Sequence, residues 1–416
     1  KNCIWLLIRS ISSVLCHYVH YWSNNIILGN KAKTSEAYNR KTINNDSYIV
    51  GAFKNSIDGL TDISQDNRIS NFKLRDTAAS IMHDQRVCKC GKVPTSGKVE
   101  ASVHDKTGKA HYSGLQSCGS VWTCPVCSSK ISERRRLEVS KGISQAHNMG
   151  WESLLVTLTF PHSRNDNLKE LLRKQSLASR LFKERAAYKR MRKEYGIKGT
   201  IRALETTHSN ANGWHPHVHE LWFVDHGFSI AKLRQQLHQA WSNACVGAGL
   251  EYPSLANGVD VRAGDFAADY VSKWGMDYEI AKAHVKKGKK GASKSPFQLL
   301  VDYEQGDMQA GALFREYAEA FKGKRQLVWS KGLKKLFGIE QKTDKEVLEE
   351  QTEKSTRKII IHYADWMTIV KHKAQAYVLT LLELRSKREV YQFISELRNS
   401  KLPDTGSGSS VRFRVA

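Results

Sequence analysis

Alternating hydrophobic and polar positions predict three β-strands in the middle of the chain. The segment 154–160 alternates apolar residues with threonines, which is the period-two pattern of a half-buried strand. The segments 200–207 and 217–224 are predicted as the second and third strands. Between them, 209–213 is polar and contains Asn and Gly, the composition of a tight turn. The pattern therefore predicts a hairpin made of the second and third strands.

Apolar positions three or four residues apart predict helices around these strands. Leucines recur at this spacing along the charged segment 167–195. Further helices are predicted at 229–247, 265–283 and 307–322, and the chain is predicted to be mostly helical from residue 341 onward. No internal repeat is present.

The first 81 residues lack such a pattern. An apolar stretch near the start is interrupted by Arg9 and shows no cleavage site of small residues. Residues 28–81 are rich in Asn, Ser, Asp and Lys, and the first methionine is Met82. We therefore expect residues 1–81 to be a disordered or non-native extension.

The charge of the chain predicts a polyanionic partner. Of 416 residues, 65 are Lys or Arg and 41 are Asp or Glu, which leaves a formal charge of +24. Nucleic acid is the first candidate and an anionic membrane surface is the second. No apolar run reaches the ~18 residues that a membrane-spanning helix needs, which favours a cytoplasmic protein without a membrane partner.

Two basic segments are candidates for DNA binding. One is a glycine-containing stretch without acidic residues, and the other follows the cysteines described below. Their candidate residues are Lys282, Lys286, Lys287, Lys289, Lys290 and Lys294 in the first, and Arg134, Arg135 and Arg136 in the second. A merely solvated basic loop is the alternative interpretation of the first segment.

Four cysteines have the spacing of zinc ligands. A Cys-Pro-x-Cys turn presents two thiolates to one ion, a third cysteine precedes it by six residues, and a fourth lies across a loop of roughly 30 residues. The predicted ligands of a structural Zn²⁺ are Cys90, Cys118, Cys124 and Cys127. Cys88 is a spare or substitute ligand. Clustered thiolates of this kind indicate a reducing cytosol rather than a disulfide scaffold.

A histidine-rich strand is the most informative stretch. His217 and His219 are two residues apart, so on a strand their imidazoles share one face. Glu205, on the strand paired across the hairpin, is placed to supply a third ligand. Two imidazoles and a carboxylate suit Mn²⁺ or Mg²⁺ acting as a Lewis acid on a phosphodiester. His215 is either a fourth ligand or a residue that supports the ligands.

A candidate nucleophile lies further along the chain. Tyr270 and Lys273 are three residues apart on the predicted helix 265–283 and therefore share a face. A nearby cation favours the phenolate form of tyrosine, which can attack phosphorus and form a covalent phosphotyrosine.

These motifs together resemble the HUH endonucleases, and more narrowly the plasmid rolling-circle replication initiator (Rep) proteins. The resemblance covers about residues 86–340. It is carried by 118–127 with the basic run 130–136, by 156–159, 213–219 and 269–274, and by 321–330, which is similar to the family's "KGKR…W/YS" segment.

The resemblance implies a fold class and a division of the chain. The fold is α+β, with a central antiparallel sheet and flanking helices. A small zinc-binding segment at 82–148 precedes the nicking and strand-transfer domain at 149–340, and a helical region with a flexible tail follows at 341–416.

The resemblance also implies roles for residues. Tyr270 is the nicking nucleophile that leaves a 5′-phosphotyrosine and a free 3′-OH primer, and Lys273 orients or neutralises the scissile phosphate. His217 and His219 ligate the metal, with Glu205 as the acidic ligand. The partner is single-stranded or supercoiled origin DNA. The sequence contains no phosphate-cradling ATPase loop, so a separate host helicase and polymerase are expected.

One position departs from the family, and other functions fit the same motifs. Some members carry Glu one helical turn before the tyrosine, where this chain has Phe266. Asp265 or Asp269 are candidate substitutes, and Tyr278 is a weak candidate for a second nucleophile. The alternatives are a transposase or relaxase with the same chemistry, or a non-catalytic zinc protein that binds DNA.

Overall fold

The computed structural model describes residues 63–263, 293–349 and 355–399, and these residues form an α+β fold. Its strands are β1 (Lys98–His104), β2 (Ala110–Ser113), β3 (Glu152–Leu158), β4 (Gly199–Ser209), β5 (Gly213–Val224), β6 (Val259–Ala263), β7 (Leu327–Trp329) and β8 (Ser355–His362). Its helices are α1 (Ile63–Ile81), α2 (Pro125–Asn148), α3 (Leu168–Glu184), α4 (Ala186–Glu194), α5 (Ile230–Gly247), α6 (Pro296–Glu304), α7 (Met308–Ala320), α8 (Leu333–Leu336), α9 (Asp344–Glu349), α10 (Tyr363–Lys371), α11 (Gln375–Leu384) and α12 (Lys387–Asn399). A short 3₁₀ helix spans Arg86–Lys89.

The chain divides into two compact units. The first unit contains the chain up to Cys118 together with the chain from Gln351 onward, and the second unit is Gly119–Glu350. The first unit is thus built from two segments that are far apart in the sequence. This division differs from the predicted one, which assigned residues 82–148 and 341–416 to separate regions.

The first unit is a three-stranded antiparallel sheet with helices. The strand order is β2-β1-β8, so the central strand comes from the first segment and an edge strand comes from the second. Its core includes Val99 on β1, Ile361 on β8 and Trp366 on α10. The indole N–H of Trp366 donates to the carbonyl of Lys92 at 2.7 Å.

One prediction about this unit is wrong. Residues 63–81, expected to belong to a disordered extension, form helix α1, in which Leu74 and Ala78 are buried. Arg68 of α1 forms an ion pair with Glu383 of α11. The region from 341 onward is mostly helical as predicted, and within it residues 355–362 form the strand β8. The partners of α1 and β8 lie more than 250 residues away in the chain, so local patterns carry little information about them.

The second unit is a five-stranded antiparallel sheet with the order β6-β3-β5-β4-β7. The three predicted strands and the hairpin at 209–213 are confirmed, with β4 and β5 as the two arms. The predicted helix at 167–195 is two helices, α3 and α4, which meet at Arg185. The predicted helix at 265–283 lies outside the described residues.

The two faces of this sheet are packed differently. On one face, Leu221 and Phe223 of β5 pack with Val139 and Ile143 of α2. On the opposite face, Trp222 of β5 contacts Tyr188 of α4, and Phe182 of α3 contacts Trp241 of α5. His217 and His219 alternate with Val218, so they lie on the first face, the side of Leu221 and Phe223.

None of the helices in the described part of the chain is long and apolar enough to cross a membrane.

Candidate functional site: a metal group on the sheet and a buried cysteine cluster

The β4–β5 hairpin places the candidate metal ligands opposite each other. In the strand register Glu205 pairs with His217, and Ala203 pairs with His219. The turn depends on Gly213, which has a φ of +69°, a conformation that side chains with a Cβ rarely adopt. A Cβ at this position would also lie 2.8 Å from the carbonyl oxygen of Arg164. Glycine at this position therefore allows the register that brings the ligands together.

Glu205, His217 and His219 form a group that can hold a metal ion, and their ligand atoms all lie within 4.8 Å of one another. The Oε2 atom of Glu205 is 3.4 Å from Nε2 of each histidine. The Glu205 side chain is 38% exposed, while the His217 and His219 side chains are 14% and 13% exposed. An ion held here would therefore keep coordination positions open to solvent, as Lewis-acid catalysis of a bound phosphate requires.

Hydrogen bonds orient both imidazoles of this group. Nδ1 of His217 lies 3.2 Å from the carbonyl oxygen of His215, and a carbonyl can only accept. His217 therefore carries a proton on Nδ1, and its Nε2 is the ring atom directed towards Glu205. Nδ1 of His219 lies 3.0 Å from Oγ1 of Thr157 on β3. Such supporting hydrogen bonds fix ring orientation and tautomer in metal sites.

The Glu205 carboxylate is ionised in this environment. Burial raises its pKa, but hydrogen bonds from His217 and His219 and their positive charge outweigh that effect and lower the pKa below the ordinary value. The group therefore offers an anionic oxygen beside two imidazole nitrogens. This donor set suits Mn²⁺ and Mg²⁺ better than a set of thiolates, which prefer softer metals.

His215 is placed beside the group and pairs with a histidine that the sequence did not single out. Its Nδ1 lies 2.8 Å from Nε2 of His162, whose own Nδ1 lies 3.1 Å from the carbonyl of Asn212. Burial, together with the positive charges of His217 and His162, lowers the pKa of His215 to about 4. His215 is therefore neutral near pH 7 and supports the hairpin through His162. It lies outside the group of three ligands.

The four predicted cysteines form a second, buried group. The Sγ atoms of Cys90, Cys118, Cys124 and Cys127 all lie within 4.8 Å of one another, and every one of these residues is buried. The backbone N–H of Cys118 donates to Sγ of Cys90 at 3.4 Å, and that of Cys127 donates to Sγ of Cys124 at 3.5 Å. Four enclosed thiolates are the donor set of a structural metal site.

Cys88, the predicted spare ligand, is not one of the four residues of this group. Its Sγ lies 3.2 Å from the carbonyl oxygen of Met82. Cys124 caps the N-terminus of α2 and Pro125 occupies its first turn, so the Cys-Pro-x-Cys motif is also the beginning of a helix.

The remaining predicted site residues divide into two sets. Arg134, Arg135 and Arg136 lie on α2 and pair with carboxylates of the second unit, at 3.8 Å, 2.9 Å and 2.7 Å respectively. Their charge is therefore partly balanced within the protein. The other set lies outside the described residues and consists of Tyr270, Lys273 and the lysines Lys282, Lys286, Lys287, Lys289 and Lys290. Lys294, the last of the candidate lysines, is described and pairs with Asp302 at 2.6 Å.

Sequence reasoning missed the residues that support the metal ligands. Thr157 belonged to a predicted strand, but only the pairing of β3 with β5 brings it to His219. His162 lies in the loop after β3 and has no spacing relation to the histidine motif. A search for His, Thr or Asp on strands predicted to pair with the motif would have found Thr157 but not His162.

Comparison with known proteins gives a consistent result. A family model described as "Replication protein" matches residues 114–378, more than half of the chain. The chain is similar to "Protein rep" of Streptomyces lividans, with 25% identity over 318 residues that cover 59% of this chain and 69% of that protein. It is also similar to "Neomycin resistance protein" of Streptomyces cyanogenus, with 29% identity over 155 residues that cover 32% of this chain and 35% of that protein. No solved structure matches the chain.

Proposed function

Because the chain belongs to the replication protein family, we propose that it initiates rolling-circle replication of a plasmid by nicking one strand of the origin. The family match confirms the resemblance to Rep proteins seen in the sequence. The nicking chemistry is our proposal, and the observation that carries it is the solvent-open group of Glu205, His217 and His219 on the sheet.

Each motif has a defined role in the proposed reaction. A Mn²⁺ or Mg²⁺ ion held by Glu205, His217 and His219 would polarise the scissile phosphate. The phenolate oxygen of Tyr270 attacks phosphorus, a new P–O bond to the tyrosine forms, and the bond from phosphorus to the 3′-oxygen breaks. The 3′-oxygen leaves and takes up a proton, which gives the primer 3′-OH. Lys273 balances charge on the phosphate.

The reaction conserves the energy of the phosphodiester in the tyrosine–5′-phosphate bond, so strand transfer needs no nucleotide cofactor. Unwinding and synthesis are expected to come from a host helicase and polymerase. The buried cysteine cluster is proposed to hold Zn²⁺ as a structural ion, because four thiolates leave no open position for a substrate.

The proposal is tested with single-stranded origin DNA labelled at its 3′ end. The purified protein is incubated with Mn²⁺ or Mg²⁺ and run on a denaturing protein gel, with Tyr270→Phe, Tyr278→Phe and Glu205→Gln beside the wild type. We expect a labelled protein band in the wild type and in Tyr278→Phe. The band is expected to be absent in Tyr270→Phe, strongly reduced in Glu205→Gln, and removed from the wild type by chelator.

Other outcomes point to other functions. A labelled band that persists in Tyr270→Phe keeps the chemistry but moves the nucleophile to another residue. Tight DNA binding without a band from any origin strand, in a protein whose zinc content is intact, contradicts the proposal and favours a non-catalytic zinc protein that binds DNA.

A further inference from the structure

Strand β7 forms one edge of the five-stranded sheet. It pairs with β4 on one side, and within the described residues no strand pairs with its other side. An edge strand presents unpaired N–H and C=O groups, which proteins normally cover or surround with charge. The three residues of β7 are half-buried. β7 also lies inside the segment 321–330, the sequence motif to which the proposed chemistry assigns no role.

Two cavities flank β7 and share residues 328–330 in their walls. The smaller has a volume of about 330 Å³ and is walled by β4, β7 and the region of α3 and α4. The larger has a volume of about 590 Å³ and is walled by residues 325–335, part of α2 and residues 341–344. The smaller cavity lies on the face of the sheet covered by α3 and α4, and the larger lies on the face covered by α2. We call the two cavities and β7 between them the edge groove.

The edge groove is strongly basic. Its basic residues are Lys183, Arg192 and Arg202 in the smaller cavity, and Arg135, Arg325, Lys331, Lys334, Lys335 and Lys342 in the larger. Asp344 is the acidic residue among the residues that line the two cavities.

Part of this charge is balanced within the protein. Lys183 pairs with Glu220 at 2.7 Å, Arg135 with Asp344 at 2.7 Å, and Lys334 with Glu138 at 2.7 Å. Lys342 lies 3.0 Å from Glu340.

Five positive charges of the groove have no such partner. In the part of the chain that the structure describes, no carboxylate forms an ion pair with Arg192, Arg202, Arg325, Lys331 or Lys335. Four of these five side chains are exposed, and Arg202 is half-buried. Unbalanced charges lining a concave wall favour a bound polyanion over a protein partner of mixed charge.

The pKa of Lys324 supports this description. Lys324 precedes Arg325 at the beginning of the groove segment. Burial lowers the pKa of its ammonium group, and the positive charge of Arg202 lowers it further. The cations therefore lie close enough to repel one another, and an anion between them would relieve that repulsion.

The position of the groove relates it to the metal group. Leu327 pairs with Ala203, and Ala203 pairs with His219. Two strand spacings therefore separate β7 from the strand that carries the histidines, about 10 Å across the sheet. The larger cavity, with α2 in its wall, is on the face of the sheet that carries the metal group, so a DNA strand that leaves the metal group in this direction reaches it within a few nucleotides.

We propose that the edge groove binds the phosphates of the single-stranded DNA next to the nick site. The proposal rests on the proposed function, because it takes the strand to be the one that is cut. Phosphate contacts of this kind position a strand without reading its sequence. The competing explanation is that the charges only keep an exposed strand edge from associating with other chains.

The test compares two pairs of charge removals in the full chain. Lys331→Gln with Lys335→Gln removes two exposed groove charges that have no partner. Lys169→Gln with Lys174→Gln removes two charges at the beginning of α3, the opposite end of that helix from Lys183. Both pairs are made in the Tyr270→Phe background and measured without added Mn²⁺ or Mg²⁺, so that binding is separated from any cleavage and the proposed structural zinc is retained.

The readout is the anisotropy of a fluorescent single-stranded origin oligonucleotide over a range of salt concentrations. Two lost phosphate contacts are expected to weaken binding about 10–30-fold at 0.1 M salt and to lower the steepness of the salt dependence by about 1.4. The control pair is expected to bind like its parent. A third pair, Lys331→Arg with Lys335→Arg, is expected to keep the affinity.

Equal affinities and salt dependences for the groove pair and the control pair would overturn the proposal, and aggregation of the groove pair in that case would support edge protection. Failure of the proposed function is a separate result. It appears as a missing phosphotyrosine band in the wild type, whereas the groove experiment reports binding alone.

Discussion

At the scale of single residues, Thr157 sets the orientation of a metal ligand without belonging to the metal group. Its hydroxyl lies 3.0 Å from Nδ1 of His219. We expect Thr157→Val, which keeps the shape and removes the hydroxyl, to weaken Mn²⁺ binding about 10–100-fold. Isothermal titration calorimetry with the metal measures this directly.

Thr206→Val is the matched control for this substitution. Thr206 lies on β4, and the described residues contain no hydrogen-bond partner for its buried Oγ1. Its replacement by valine should leave Mn²⁺ affinity unchanged. Equal affinities in the two variants would show that the hydrogen bond to His219 is unimportant.

Asp76 is a residue whose charge stabilises the first unit. Burial raises its pKa, but the positive charges and hydrogen bonds of Arg75 and Lys92 outweigh that effect and lower it. Arg75 is fully buried and lies 2.9 Å from Asp76. Asp76→Asn removes the carboxylate that pairs with Arg75 and Lys92, and we expect this loss of a buried ion pair to reduce the free energy of unfolding by about 3–5 kcal/mol near pH 7.

The same residue predicts a pH dependence. A carboxyl whose pKa is lowered by folding contributes stability above the pKa of the unfolded chain, about 3.9, and that contribution is lost as the pH falls further. The difference between wild type and Asp76→Asn should therefore be constant above about pH 5 and should shrink below about pH 4. Urea unfolding at a series of pH values measures it, and a difference that grows on acidification would contradict the assignment.

Single residues also explain how much of the site could be predicted from the sequence. Glu205, His217 and His219 were predictable because strand alternation and a short hairpin fix which side chains share a face. Thr157 and His162 were not, because their contacts depend on strand order and on a loop. Strand order is decided by packing over the whole sheet.

At the scale of elements, the β4–β5 hairpin depends on one glycine. Gly213→Ala combines an unfavourable φ with a Cβ placed 2.8 Å from the carbonyl oxygen of Arg164. Gly227→Ala is a matched control, because Gly227 has a φ of +85° but open space where its Cβ would lie. We expect about 1–2 kcal/mol of destabilisation from the φ alone in Gly227→Ala.

Gly213→Ala should lose a further 1–3 kcal/mol, roughly the cost of forcing extra volume into a packed site. It should also weaken Mn²⁺ binding, since Gly213 begins the strand that carries the histidines. Thermal unfolding and metal titration of both variants test this. Equal losses of stability in the two would mean that the contact with Arg164 relaxes without cost.

The same scale explains which elements were predictable. β3, β4 and β5 have strong alternating patterns and were expected within a few residues. α1 and β8 were not, because a helix rich in Asn, Ser and Asp is stabilised by distant partners such as Glu383 rather than by its own pattern. Tertiary contacts decided the structure at both ends of the described chain.

At the scale of the whole molecule, the cysteine cluster predicts dependence on a metal. We expect the purified protein to contain one zinc ion per chain, and Cys124→Ser to lose it together with a large part of its thermal stability. Cys88→Ser is the control. Because Cys88 lies outside the cluster, this variant should keep both its zinc ion and its thermal stability. Zinc content by atomic absorption, measured beside thermal unfolding, checks this. Full zinc content in Cys124→Ser would exclude that cysteine as a ligand.

The two-segment composition of the first unit gives a further prediction. Removal of residues 351–416 deletes β8 and buried residues such as Trp366 and Val378 from its core. The remaining residues 63–118 should then become sensitive to protease, while the Glu205 group, which lies within the second unit, should still bind Mn²⁺. Limited proteolysis followed by mass spectrometry and metal titration tests both parts. Protection of residues 63–118 in the shortened chain would show that the first segment folds by itself.

The pairing of β1 with β8 also has a consequence during synthesis. β1 leaves the ribosome about 250 residues before β8, which at about 5–20 residues per second is a delay of roughly 10–50 s. During that interval β1 can pair with β2, but its second neighbour, β8, does not yet exist. The second unit lies wholly between the two segments and has time to fold first. The first unit cannot be completed until β8 has been made, so the earliest part of the described protein to be synthesised is among the last to reach its final structure.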